Sequence, residues 1–520
     1  MTNSARVMEI EWQFIPDDLE SVREWLEQET PEPFSIESLA QRELRDEYWD
    51  TTGWLVWRAG FACRTRRRGE SAELTLKGLA GGEGHLRKRL ELDEPLDGLA
   101  GVAGAVAHPE GEASSLLRRL AGPHPLRSVA ALTTQRTTLG LSDGKGPLGE
   151  IALDRTTVGE GSKSLDLLRV EVEVGEEAVA RAEPFVAALR DGAGLRPAQT
   201  GKLAAALAAA GSSPGWEPSP VGPMSIDRDS SLAEVAYAAL RRGFLRLVEH
   251  EPLARLGEDI EGVHQMRVAT RRLRAALKTF GDILPPALAE QRRELRWLGR
   301  SLGEARDLDV QRERFALAAP LIGRKAAAAI GVIFEERRAS TQEVVLAALD
   351  SERYVAMVET MSDLLRAGPT PGLGDEPALA SALETIEEQR RRARRLGSAI
   401  DSKSPDADYH ALRLKVRDLR YVLEFFAPLG GEAADAYVRQ ATRLQTLLGD
   451  HQDAVVAADF HAGLARDEGE RLGKAGIRAA RELAANATAE AEGYRWKFPK
   501  RYGRLRGARW HALRRALSNS

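Results

Sequence analysis

One spacing, 146 residues, recurs through the second half of this chain and limits what that half can become. "HQMRVATRRLR" at 264–274 returns as "HALRLKVRDLR" at 410–420, which carries His264, Arg267, Arg271 and Arg274 onto His410, Arg413, Arg417 and Arg420. At the same offset "LGEARDLDV" at 302–310 lands on "LGDHQDAVV" at 448–456. Two motifs held in one register mean two copies of one structural unit, expected as two four-helix bundles related by pseudo-two-fold symmetry.

On a helix advancing about 100° per residue, offsets of 0, 3, 7 and 10 fall within a sector about 80° wide. The histidine and three arginines of each copy therefore form one stripe. Val268, Leu273 and Leu277 in the first copy, and Leu412, Leu419 and Leu423 in the second, are expected to face the core beside it. Stacked like charges destabilise an isolated helix by about 0.2–0.5 kcal/mol per pair, so the stripe needs carboxylate partners or an anion. Asp307 and Asp453, equivalent in the two copies, are candidate partners. The guanidinium fork matches phosphate with two parallel hydrogen bonds, and histidine adds a donor that charges easily beside phosphate. Two such stripes facing each other would line a basic groove suited to a polyanion.

A chain of 520 residues is too long for one ordinary core. "GSSPGWEPSPVGP" at 211–223 is dense in Gly, Pro and Ser and has no apolar period, so domains are expected over 1–210 and 225–520 with a linker at 211–224. Residues 1–225 hold 25 Lys+Arg against 35 Asp+Glu, and residues 226–520 hold 49 against 43, so the charges are −10 and +6. The tail "YRWKFPKRYGRLRGARWHALRRAL" has no acidic residue, and this basic half points to an anionic partner. No apolar run is long enough to cross a bilayer, and the opening "MTNSARVMEIEW" lacks an apolar signal core. The single cysteine, Cys63, excludes an intrachain disulfide and a cysteine-based zinc site. A cytoplasmic protein without a membrane partner is expected.

The first half alternates where the second is helical. "MEIEWQF", "GFACRTRRR", "AELTLKG", "GEIALDRTTV" and "LLRVEVEV" predict strands, and helices are expected near 17–29, 35–45 and 176–191. The fold class is α+β multidomain: an antiparallel β-barrel or tunnel followed by the all-α pair of bundles. Residues two apart in a strand share a face, which pairs Glu9 with Glu11, Arg64 with Arg66, and Glu171 with Glu173. Each pair alone suits a wet sheet face. Closed inward together, they would give a lumen of four glutamates, two arginines and Lys77 that needs ions to be tolerable. Carboxylates without histidine or cysteine are hard oxygen ligands suited to Mg²⁺ or Mn²⁺ completed by phosphate oxygens. This is a layout for metal-assisted phosphoanhydride hydrolysis.

The helical half, about 226–515, resembles the CHAD domain, the conserved histidine α-helical domain, through its doubled His-x-x-Arg-x-x-x-Arg-x-x-Arg stripe and its "LG" plus Asp segments. The resemblance implies inorganic polyphosphate as partner, held by His264, Arg267, Arg271, Arg272, Arg274, Arg306, His410, Arg413, Arg417 and Arg420, with association with polyphosphate granules expected. Asp418 replaces the basic Arg272 and Gln452 replaces Arg306 in the second copy, which implies a groove more basic on the first-copy side. Residues 1–210 resemble the CYTH domain, the triphosphate tunnel metalloenzyme family, through "EIEWQ", "YWDTTGWLVWRAGFACRTRRR", "LTLKG", "QRTTL", "ALDRT", "RVEVEV" and "RPAQTGK" in that order. That resemblance implies metal at Glu9, Glu11, Asp154, Glu171 and Glu173, and a triphosphate-containing small molecule at Arg64, Arg66, Lys77, Arg136 and Lys202. Gln13 stands where that family has lysine, which implies weakened or lost turnover and leaves the catalytic residue unassigned. The expected function is polyphosphate binding beside a tunnel of open activity. An active metal-dependent triphosphatase or polyphosphatase is the first alternative. A nucleic-acid-binding protein is the second, disfavoured because the helical core lacks aromatic interleaving for base stacking, although Trp496, Tyr502 and Trp510 supply some in the tail.

Overall fold

The computed structural model describes residues 7–68, 71–79, 86–96, 101–158, 165–210 and 221–518. The chain divides into two compact units, Met1–Glu217 and Pro218–Ser520. Residues 211–220 of the expected linker lie outside the described residues.

The first unit contains strands β1 Val7–Ile15, β2 Ser35–Asp50, β3 Phe61–Arg68, β4 Ser71–Gly78, β5 Leu86–Pro95, β6 Arg127–Asp143, β7 Gly146–Val158, β8 Leu165–Val174 and β9 Arg196–Pro197. Its helices are α1 Leu19–Gln28, α2 Leu55–Arg58, α3 Gly101–Ala107, α4 Glu112–Ala121, α5 Val179–Gly192 and α6 Lys202–Ala209. The strands pair in the order β5-β4-β3-β2-β6-β7-β8-β1-β9, and β1 also pairs with β5, which closes eight of them into an antiparallel ring. Alternation decides which way each side chain points. Ile10, Trp12 and Phe14 of β1 pack outward with Ile151, Leu153, Val170, Val172 and Val174. Val22 and Leu26 of α1, and Ala182, Phe185, Val186 and Leu189 of α5, cover this outer face. The apolar layer is thus the outside of the ring, and Glu9, Glu11 and Gln13, on the other face of β1, are left to the inside.

Residues 35–45, expected as a helix, are the start of β2. Their backbone pairs along β6 from Ser35 opposite Ser142 to Arg45 opposite Thr133, and nearly every side chain up to Glu43 is exposed or half-exposed. The helix-favouring residues there have no apolar stripe to bury, so the long partner strand sets the conformation.

The second unit is helical: α7 Leu232–Glu249, α8 Glu251–Leu256, α9 Ile260–Thr279, α10 Pro286–Ser301, α11 Gly303–Ala318, α12 Arg324–Leu349, α13 Glu352–Ala367, α14 Ala378–Gly397, α15 Asp406–Asp467, α16 Gly469–Gly503 and α17 Ala508–Ser518. The 146-residue spacing reappears in the helix starts, from Leu232 to Ala378 and from Ile260 to Asp406. α15 breaks at Gly431, whose φ of 54° is costly for a residue with a Cβ, and its second part occupies the positions equivalent to α10 and α11. The repeat runs on past four helices, because α12 and α16 are equivalent as well and pack in one cluster with Leu308, Phe315, Ile330, Phe334, Leu464 and Leu483. Leu273, Leu277, Leu412, Leu419 and Leu423 are buried as expected, whereas Val268 is half-buried and Met266 and Ala269 fill the seam. Among the described residues no helix is long and apolar enough to cross a membrane.

Phe185, fully buried, joins the outer layer of the ring to α1 through Trp25 and to Phe34, with ring centroids 6.2 and 5.4 Å away. Phe185→Ala is expected to destabilise the first unit by about 3–5 kcal/mol, read as an earlier urea transition of the full chain by tryptophan fluorescence.

Candidate functional site

Each strand of the ring sends alternate polar side chains inward, and they line a cavity of about 490 Å³. The charges inside are interleaved rather than segregated. Lys77 pairs with Glu9, and its Nζ lies 3.7 Å from Glu11 and 3.8 Å from Glu91. Arg89 pairs with Glu11. Arg66 grips Asp46 with two bonds of 2.6 and 2.7 Å, and Arg64 lies 3.8 Å from Asp46 and 3.6 Å from Glu91. Arg136 holds Asp154 at 2.8 and 2.6 Å and Glu171 at 2.7 Å, while Lys202, at the start of α6, pairs with Asp154 and reaches Glu171 at 3.0 Å.

The environment splits the carboxylates. Burial raises Glu9, and Lys77 only partly opposes this. Burial would also raise Glu171, but Lys202 and Arg136 outweigh it and hold the carboxyl well below the usual range. Glu173, at the cavity wall, is pushed up to about 7, first by desolvation and then by Glu9, Glu91 and Glu171, with Lys77 opposing. Gln13 donates from Nε2 to Glu11 at 2.9 Å and to Glu171 at 3.0 Å, so its amide bridges the two carboxylates without neutralising either.

The structure brings Arg64, Arg66, Lys77, Arg136 and Lys202 to this one cavity, with Glu9, Glu171 and Glu173 in its wall. It does not gather the expected metal set into one cluster. Asp154 is fully buried and committed to Arg136 and Lys202, and Glu11 is held by Arg89 and Gln13. Among the described residues no three acidic, histidine or cysteine side chains converge as a ready metal site. Oxygen ligands for a divalent ion are present, but a site would need oxygens from a phosphate. Sequence reasoning missed Arg87, Arg89 and Arg169. Among the described residues Arg87 and Arg169 have buried Nε atoms without a partner and bond to backbone carbonyls alone, and burial holds both below their ordinary values. The alternation Arg87, Arg89, Glu91, Asp93 in β5 was the available signal.

In the second unit the two stripes meet. His264, Arg267, Arg271 and Arg274 of α9 and His410, Arg413 and Arg417 of α15 line a single groove of about 800 Å³, joined by Arg306. Its guanidinium groups are left short of acceptors. Among the described residues, buried nitrogens of Arg267, Arg271, Arg274, Arg306, Arg413 and Arg417 have no hydrogen-bond partner. Carboxylate pairing is partial: Arg267 meets Asp307 at 3.2 Å, and Arg417 meets Asp418 at 2.9 Å. Burial lowers Arg271, and repulsion from Arg267, Arg417 and Arg413 lowers it further. Burial and Arg417 also lower Arg413, against the pull of Asp453.

Two expected groove residues lie elsewhere. Arg272 and Arg420 converge on Glu424, at 2.8 and 3.2 Å, and lie over the Tyr421 ring. That arginine pair is held by a carboxylate and an aromatic face, so neither guanidinium lines the groove. The two copies also differ at their histidines. His410 Nδ1 lies 2.7 Å from Gln452 Oε1, whereas burial lowers His264, as do Arg306, Arg271 and Arg246, with Glu261 opposing.

The architecture defines a two-part protein, a closed ring with an ionic lumen and a duplicated helical unit with a basic groove. The family model of the CHAD domain matches residues 238–462, most of the helical unit. An uncharacterized protein of Mycobacterium tuberculosis is 27% identical over 454 residues, 82% of each chain. The crystal structure of the CHAD domain from the plant Ricinus communis is 27% identical and covers 59% of this chain and 98% of its own, with a TM-score of 0.42. A putative adenylyl cyclase from Hippeastrum, described as having a dominant triphosphatase activity, is 15% identical and covers 40% of this chain and 97% of its own, with a TM-score of 0.30.

An anion entering beside His264 favours its protonated form, so the proton is taken up on binding and affinity rises as pH falls. A phosphate polyanion in this groove should be retained more strongly as pH falls from neutral into the lowered titration range of the free His264, and His264→Gln should flatten that dependence, read by titration of the full chain at constant ionic strength.

Proposed function

We propose that this protein binds inorganic polyphosphate in the groove of its helical unit, and that its ring holds the triphosphate end of a small molecule or chain together with a divalent ion. The observation that carries the reading is the set of unpartnered guanidinium nitrogens from both copies in one groove. A buried charged donor without an acceptor is expensive, and a phosphate chain supplies many acceptors at close intervals. Nucleic acid would satisfy the same charges, but among the described residues no Phe, Tyr or Trp lines the groove to stack a base.

The ring supports the second part through its interleaved charges. Triphosphate oxygens can replace carboxylates on Arg64, Arg66, Lys77, Arg136 and Lys202, and the Glu9 and Glu171 so released, with Glu11 and Glu173 beside them, can take Mg²⁺ or Mn²⁺. Gln13 supplies no charge to a water or a phosphate oxygen, so turnover is expected to be slow.

Arg267→Ala with Arg271→Ala, and Arg413→Ala with Arg417→Ala, should each weaken long-chain polyphosphate binding at least about tenfold and lower its salt dependence, the first pair more than the second. Equal, small losses for long chains and for triphosphate would remove the shared groove from the account. In the ring, Glu9→Gln with Glu11→Gln should abolish metal-dependent triphosphate binding by the full chain. Gln13→Lys should raise metal-dependent phosphate release from triphosphate.

A further inference from the structure

α10 carries a third row of arginines that the repeated motif does not contain. Arg292, Arg296 and Arg300 are spaced four apart, so they follow one flank of the helix over about 12 Å. Leu288, Leu295 and Leu298 fix the buried face beside them. Arg292 is half-buried at the groove wall, with a buried Nε that has no partner, and Arg296 and Arg300 are exposed. α10 lies close against α9 where Gly299 faces Thr270: a Cβ at that glycine would stand 3.3 Å from Thr270 Oγ1. The row therefore starts beside Arg274, whose charge is disfavoured by burial and then by Arg296, Arg417, Arg292 and Arg300.

The opposite flank of α10 is treated differently. Glu294 binds Arg293 at 3.1 Å and Arg353 at 2.5 Å, and Arg353 also covers the Trp297 ring. Arg296 and Arg300 have no ion-pair or hydrogen-bond partner among the described residues. Nor does the second copy repeat the row, because its equivalent positions are Val438, Thr442 and Thr446. At those three positions the second copy offers no charge to continue its side of the groove.

We infer that Arg292, Arg296 and Arg300 form a one-sided ramp that binds the part of a linear phosphate polyanion extending beyond the groove, so that long chains gain contacts that short ones cannot make. This rests on the groove being the polyphosphate site. It gives the bound chain an exit on the first-copy side and makes the exposed stretch of α10 a determinant of chain length. Each phosphate contact releases about one counterion, so the ramp adds to affinity and to salt dependence together.

The test compares Arg296→Ala with Arg300→Ala in one full-length variant against the unaltered chain, using polyphosphate long enough to span groove and ramp, and triphosphate. Because both side chains are exposed, the variant should keep its thermal midpoint. Long-chain affinity should fall about tenfold, the slope of log K on log salt should fall by about 2, and triphosphate affinity should stay within about twofold. Arg296→Glu alone should produce the same selective loss. Equal effects on both ligands, or none on either, would overturn the ramp while leaving the groove in place. Absence of polyphosphate binding by the unaltered chain would overturn the groove reading and the ramp together.

Discussion

Arg271 faces the charges of Arg267, Arg413 and Arg417 inside a half-buried groove, and the helical unit is organised around that repulsion. At an effective dielectric constant of about 20, like charges several ångströms apart repel by roughly 1–3 kcal/mol per pair. The apolar seams under each stripe, Leu273 and Leu277 in one copy and Leu412, Leu419 and Leu423 in the other, hold the two charged faces at this spacing. Asp307 and Asp418 relieve part of the repulsion, and the remaining donors stay open to an anion. Duplication is thus a chemical device as well as a structural one. It turns a charged helix face, ordinarily solvated, into two walls of one site.

The ring answers the same problem with the opposite arrangement. Its apolar layer faces out under α1 and α5, so the lumen must accept the charged faces of its strands, and almost every carboxylate there is answered by a neighbouring cation. Such a lattice is held without ligand where its buried charges are paired, as at Asp46, Asp154 and Glu171, and it can be rearranged by a ligand that brings negative oxygens of its own. Gln13 is consistent with this economy of charge: it ties Glu11 to Glu171 by hydrogen bonds alone. The lumen is thus a preformed ionic cavity with a neutral amide between two of its carboxylates.

Much of this was legible in the sequence because periodicity is a local property. The 146-residue offset of the motifs is the offset of the helix starts, and the same-face pairs Glu9 with Glu11, Arg64 with Arg66 and Glu171 with Glu173 are on the strands that form the ring. What escaped was set by partners far away in the chain. Residues 35–45 are strand because β6 is long enough to pair with them. Arg272 leaves the groove because Glu424 and Tyr421, far along the chain, attract it; Arg420 is the exception, turned aside by the local partners Tyr421 and Glu424 that lie just beyond the motif. Arg87 and Arg169 become unpaired lumen cations only once the closed ring sets which carboxylates the other cations take.

The central claim is that both copies of the stripe act on one anion. Arginine-selective modification of the full chain by phenylglyoxal, with mass-spectrometric mapping over a polyphosphate titration, tests it most directly. Protection of Arg267 and Arg271 and protection of Arg413 and Arg417 should rise together with one half-saturating concentration, while Arg272 and Arg420 change little. Protection of only one copy, or of the two copies at well-separated concentrations, would contradict the account.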